Sequence, residues 1–261
     1  MKKKIYTTTI IALLTLLLIT VGTTKAGNPE YSIIEYTGGI TPAIVDGVWT
    51  TEDEWNDALT VPISDNVTFW YYAEINIYSC EFLVEIFNDD TNDTGDYWQF
   101  CFDDGNSGGT APGSGDYRVD IVGHTDVVIY TGDGESWVQT TNTPSDVGLT
   151  WANSISDSPI DSTPHWILEF TFNKLTAMIP TQPPTGLRVA VYDASNSEAG
   201  VQDWAPSSDV NVPDEWGLIS EYSPDPIPEG LTFAVMAILS SVSLLVGSQY
   251  LRKRSKKREK Q

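Results

Sequence analysis

The feature that most limits the fold of this 261-residue chain is how often its apolar runs are cut short. Runs rich in β-branched and aromatic residues, such as VTFWYYAEI, EFLVEIF, DYWQFCF, YRVDIV, HWILEFTF and LRVAVYD, alternate with clusters of Gly, Pro, Asn and Asp. No useful length of amphipathic helix interrupts them. Short strands with turn signals between them can bury their apolar sides only as antiparallel sheets packed together or closed on themselves. In His165–Phe172 the period is plain. Trp166, Leu168, Phe170 and Phe172 fall on one face; His165, Ile167, Glu169 and Thr171 fall on the other. The expected fold class is all-β, an antiparallel, jelly-roll-like β-sandwich, with one transmembrane helix after it.

The two ends frame that domain. Lys2, Lys3 and Lys4 precede the uncharged run Ile5–Thr24, and small residues follow at Ala26, the order of a secretory signal over 1–26. The competing reading is an uncleaved anchor. Residues 27–222 then form the β-sandwich ectodomain, and the Pro-rich stretch 223–230 a stiff linker. Leu231–Leu251 carries no charge, and at ~1.5 Å per residue reaches about 31 Å as a helix, enough to span a bilayer. RKRSKKREKQ, residues 252–261, follows at once and marks the cytoplasmic side. The expected localisation is the cell membrane, single-pass, with the domain on the extracellular face.

Charge separates by region. Only Arg118, Lys174 and Arg188 are basic between Gly27 and Pro228, against 34 acidic residues, a net of −31. Such a surface repels nucleic acid, which is bound through basic patches. It suits divalent cations, high ionic strength or plain solubility.

The loop Asn88–Asp96, NDDTNDTGD, offers Asp89, Asp90, Asn92, Asp93 and Asp96 as oxygen ligands for calcium, which takes six to eight of them. It lacks the spacing of an EF-hand, and the same residues also read as a turn that satisfies its own backbone. Cys80 and Cys101 lie on consecutive predicted strands, in a compartment where disulfides persist. They bridge only if a bulge intervenes; otherwise Cys101 faces away from the side carrying Trp98, Phe100 and Phe102. Asn66-Val67-Thr68 and Asn92-Asp93-Thr94 are glycosylation sequons.

No catalytic constellation stands out: neither His124 nor His165 belongs to a metal or triad motif, and no carboxylate pair is singled out. Haem ligation by either histidine with Met178 lacks any supporting motif. The expected enzyme class is none. Aromatics give the binding signal. Trp49, Trp137, Trp151 and Trp204 are flanked by polar residues in or near loops, where flat indoles can stack on sugar rings. Packing in a sandwich core is the competing use.

The stretch VDGVWTTEDEWNDA resembles the opening of family-nine carbohydrate-binding modules and related DOMON-like sandwiches. DYWQFCFDD, HWILEFTFNKL and LRVAVYDASN resemble, in the same order, later strands of those modules. The resemblance spans about Ile44 to Ile219 and implies an extracellular sandwich that binds saccharide, often with structural calcium. The tail with PIPEG, span and basic cluster resembles PEF-type sorting signals of archaeal and bacterial surface proteins. The expected function is therefore a non-catalytic, membrane-anchored carbohydrate-binding module whose partner is a polysaccharide or cell-envelope glycan. The alternative is a structural or adhesive envelope protein that binds protein partners and no sugar. Within the opening stretch, Asp46-Gly47 reads as a tight turn and Thr51 with Glu54 as a capping box. Trp55 and Leu59 read as a lid on the end of the sandwich.

Overall fold

A computed structural model describes residues 27–34, 43–73, 79–173 and 184–220. The expected signal segment, linker, membrane span and basic tail, and Met178, lie outside the described residues. Among the described residues no helix is long and apolar enough to cross a membrane. The strands in chain order are β1 (Ser32–Ile34), β2 (Leu59–Pro62), β3 (Val67–Ala73), β4 (Ser79–Ile86), β5 (Tyr97–Asp103), β6 (Tyr117–Val122) and β7 (Asp126–Gly132). They continue as β8 (Trp137–Gln139), β9 (Leu149–Ser156), β10 (His165–Asn173), β11 (Thr185–Tyr192), β12 (Gln202–Trp204) and β13 (Gly217–Ser220). One short helix, α1 (Glu52–Trp55), precedes β2.

The strands form two sheets. The smaller has the order β2-β3-β4-β10-β9; the larger has β1-β13-β11-β5-β6-β7-β8, with β12 also paired to β11. All pairs are antiparallel except β1 with β13. This is the expected all-β sandwich. Alternation builds its core: Phe69, Phe82, Leu168, Phe170 and Phe172 from the smaller sheet meet Trp98, Phe100, Phe102, Val189 and Val191 from the larger. Phe82 stacks on Phe170 with ring centroids 4.7 Å apart and planes within 7°. Close-packed aromatic faces of this kind supply the main driving force of a sandwich core.

The two outer faces differ. Across the smaller sheet, residues 43–58 form a cover. Trp49 and Trp55 bury themselves on Trp70, Tyr72, Leu83 and Ile167, which all face outward from that sheet. The second face of β10 is thus buried as well, although His165 and Glu169 on it are polar. Its one acid, fully buried Glu169, receives the backbone N–H groups of Asp46 (3.0 Å) and Gly47 (2.8 Å) and the Trp55 indole N–H (2.9 Å). Gly47 has φ +82°, and a Cβ there would come within 2.7 Å of the Asn153 backbone. The turn therefore needs glycine twice over, for its dihedral and for its close approach.

Two expectations for this stretch change. Thr51 is the N-cap of α1, but its side chain caps nothing; Glu54 instead accepts from the Thr50 N–H at 3.0 Å, one residue earlier. Trp55 covers the face of a sheet and not the end of the sandwich, while Leu59 begins β2 and packs toward the inter-sheet core.

The cysteines also depart from the disulfide reading. The loop after β4 carries the chain from the smaller sheet to the larger, so Cys80 and Cys101 lie in different sheets. Cys80 faces the core, whereas Cys101 lies on the outer side of the larger sheet, opposite Arg118 and Arg188. No disulfide joins them. Burial pushes the Cys101 thiol up to about 12.

Candidate functional site

The outer face of the larger sheet is polar and carries a groove of about 670 Å³, within the range that ligand clefts occupy. Register explains what lines it. Tyr97, Gln99 and Cys101 of β5 point outward between Asp120 and Arg118 of β6 on one side and Ala190 and Arg188 of β11 on the other. The stretch 205–215 forms a wall, with Ser207, Ser208, Asp209 and Val210 lining the groove.

Its two arginines are the only Lys or Arg among the described residues, and both are built in. Arg188 is buried, donating to Gln99 Oε1 (2.6 Å), Asp203 Oδ2 (2.9 Å), and the carbonyl and hydroxyl of Ser208 (3.1 and 3.0 Å). It forms the floor and ties the wall to it. Arg118 is half-buried, with Nε donating to Asp120 at 2.9 and 3.0 Å, Nη2 bonded to the same carboxylate, and the guanidinium 4.6 Å over the Tyr130 ring. Its Nη1 has no protein partner among the described residues. Planar donors and acceptors fixed in this way are pre-organised, and offer bidentate contacts to vicinal hydroxyls without being ordered first. With Asp120, Asp203 and Asp209 against two arginines, the groove disfavours phosphate and other anions.

Tyr97 also lines the groove and stacks on its cross-strand neighbour Tyr192 at 5.5 Å and 19°. Next to that pair along the chain lies an acidic cluster. Asp89, Asp96 and Asp193 are all buried, and each offers a carboxylate oxygen within 4.8 Å of the others. Asp89 Oδ1 accepts from Thr91, Asp96 Oδ1 from the Ala194 N–H (2.7 Å) and Asp193 Oδ1 from the Asn196 N–H (3.0 Å). Asp89 Oδ2 is buried with no partner. Burial pushes Asp89 up to about 6, and the neighbouring Asp193 and Asp96 charges add to the rise. Three buried carboxylates with an orphaned oxygen fit a hard divalent cation, which would complete its shell with carbonyls or water.

Of the residues expected as calcium ligands, then, Asp89 and Asp96 come together; Asp90 and Asn92 are exposed, and Asp93 bonds Thr91. Asp193 was missed because it arrives from the end of β11. His124 lies against the cluster, Nε2 2.7 Å from Asp96 Oδ2 and its ring stacked on Trp166 at 3.6 Å. Burial lowers its pKa, against the raising effect of Asp96. His165 is engaged by Glu85 and the Thr163 carbonyl.

The four expected stacking tryptophans are scattered. Trp49 is buried in the cover, edge-on to Trp70 at 5.3 Å, and Trp204 is buried edge-on to Phe69 at 5.5 Å. Trp151 is half-buried on β9 against the inter-sheet core. Trp137 is half-buried on the outer side of the larger sheet, parallel to Trp216 and donating to the Val210 carbonyl at 3.0 Å, at the far end of the wall. Asn66 is half-buried and accepts from Asn88 at 2.9 Å, and Asn92 is exposed. The groove itself had one sequence signal: in a domain of net −31, two of the three cations fall within strands.

No family model and no curated protein matches the chain. Among solved structures it is similar to a family-nine carbohydrate-binding module from Caldicellulosiruptor kristjanssonii in complex with cellotriose. There the identity is 13%, the TM-score 0.48, and the alignment covers 76% of this chain and 96% of that one. The same module with glucose gives the same identity and TM-score, with all of that chain covered. A Bacteroides uniformis structure described as a carbohydrate-binding protein follows at 11% identity and TM-score 0.45, covering 73% of this chain and 97% of that one.

Proposed function

We propose that this chain is a non-catalytic saccharide-binding module displayed at the cell surface, with the sugar held in the groove on the larger sheet. The observation that carries the reading is the groove's lining: Arg118 locked to Asp120, and Gln99 and Asp203 both locked to buried Arg188, beside a tyrosine pair. Planar polar groups read hydroxyls, and aromatic faces take the apolar face of a pyranose. Their balance of charge favours a neutral sugar. Sequence patterns at both ends support anchoring by 231–251 with the sandwich outside. The buried carboxylates support a structural calcium ion held by Asp89, Asp96 and Asp193.

The test is affinity electrophoresis of the full chain in detergent through soluble glucan, xylan and mannan. Retardation by at least one is expected. Arg118→Ala should weaken it at least tenfold, the scale of one lost charge-assisted hydrogen bond. Mobility unchanged in all three polysaccharides would reject the reading and favour the adhesive alternative.

A further inference from the structure

The acidic cluster and the groove are joined by the chain itself. Asp96 is followed directly by Tyr97, and Tyr192 is followed directly by Asp193. Tyr97 and Tyr192 are register partners at the end of β5 and β11, and Tyr97 lines the groove. Two of the three carboxylates therefore lie one residue from the stacked pair, each just beyond the end of a different strand. The loops that carry them already touch: the Ala194 N–H bonds Asp96, and a Cβ on Gly95 would lie 3.0 Å from that of Ala194.

Resting on the saccharide reading above, we propose that a divalent cation held by Asp89, Asp96 and Asp193 is a clasp on these two strand ends, and that its occupancy sets the groove's affinity by fixing the Tyr97–Tyr192 wall. Without a cation, three carboxylates confined in a low-dielectric pocket repel one another, and what yields is the contact between loop 88–96 and the residues after β11. That contact adjoins the last rung of the β5–β11 ladder, where the tyrosines stack, so its loosening leaves the pair to be ordered by the ligand, at a cost in affinity. With a cation bound, the order is already present. The coupling is reciprocal: sugar must tighten the cation by the same factor.

Hydrogen exchange tests the clasp without any sugar. The full chain in detergent is stripped with chelator and titrated with calcium alone, while exchange is followed in peptides covering Tyr97–Gln99 and Val189–Asp193. Exchange at both should slow at least tenfold on calcium saturation. Asp193→Asn and, separately, Asp89→Asn should abolish the slowing, while Asp90→Asn, outside the cluster, should not. Retardation in the polysaccharide gels should strengthen about tenfold with calcium and lose that gain in the same two variants. Calcium binding that raises the melting temperature yet leaves both peptides and the retardation unchanged would overturn the clasp, and so would no calcium binding at all. Slowed exchange with no retardation in any polysaccharide would uphold the clasp and reject the saccharide reading.

Discussion

The two outer faces of this sandwich show opposite solutions to the same problem. On the smaller sheet the chain lays residues 43–58 across the strands, and the face becomes a second core containing Trp49, Trp55 and Trp70. On the larger sheet it leaves a groove, and the side chains lining it are polar, paired with one another and flanked by tyrosines. Large indoles gather where the chain covers itself. The open face uses groups that tolerate water and are already oriented. A tryptophan in this protein therefore reports covering more than binding.

That contrast can be broken by substitution. Trp55→Ala removes a side chain that is 1% exposed and leaves Glu169 short of one of its three donors. It should cost about 3–5 kcal/mol in chemical denaturation, as large aromatic truncations in cores do. Trp137→Ala, on the open face, should cost less than half as much. Equal losses would mean that the two faces are energetically alike. Next in size is the turn that starts the cover. Gly47→Ala puts a methyl against the Asn153 backbone at a positive φ, and should cost about 1–3 kcal/mol. A melting curve that does not move would mean the cover is not seated through that turn.

How far each face could be read in advance follows from the range of the interactions involved. Strand runs and their alternation are local, so the two rows of β10 were legible from His165–Phe172 alone. That the second row is also buried was not, because the cover comes from residues more than a hundred positions away, as the Glu169–Gly47 bond shows. The pairing of Asp193 with Asp96 is likewise non-local, carried by strand register across β5 and β11. The disulfide expectation failed for a topological reason: β4 and β5 are consecutive in sequence but belong to different sheets. The groove was missed because aromatic count pointed to indoles, while the polar lining depends on which residues β5, β6 and β11 bring side by side.

The smallest expected effect separates the faces by pH. His165, under the covered side, has Nδ1 2.7 Å from the Thr163 carbonyl and Nε2 3.2 Å from Glu85. Both nitrogens face acceptors, so both can donate only when the ring is charged. Burial alone lowers its pKa, but the bonds to Glu85 and Thr163 raise it above the ordinary value. A folded pKa raised in this way contributes stability in full below the unfolded value of 6.5 and loses it as pH climbs through the folded value. Glu169, pushed up to about 7 by burial, acts in the same direction, over the window from 4.5 to 7. Between about pH 7 and pH 8.5 the fall should therefore come chiefly from His165, on the order of 1 kcal/mol, the net worth of a buried hydrogen bond. Glu85→Gln keeps an acceptor for Nε2 but removes the charge that favours imidazolium, so it should flatten the fall. Arg118→Ala should not, since an arginine in the open groove stays charged across that range. Melting temperatures of the three proteins at both pH values decide it: a slope that survives Glu85→Gln would place the titrating group elsewhere.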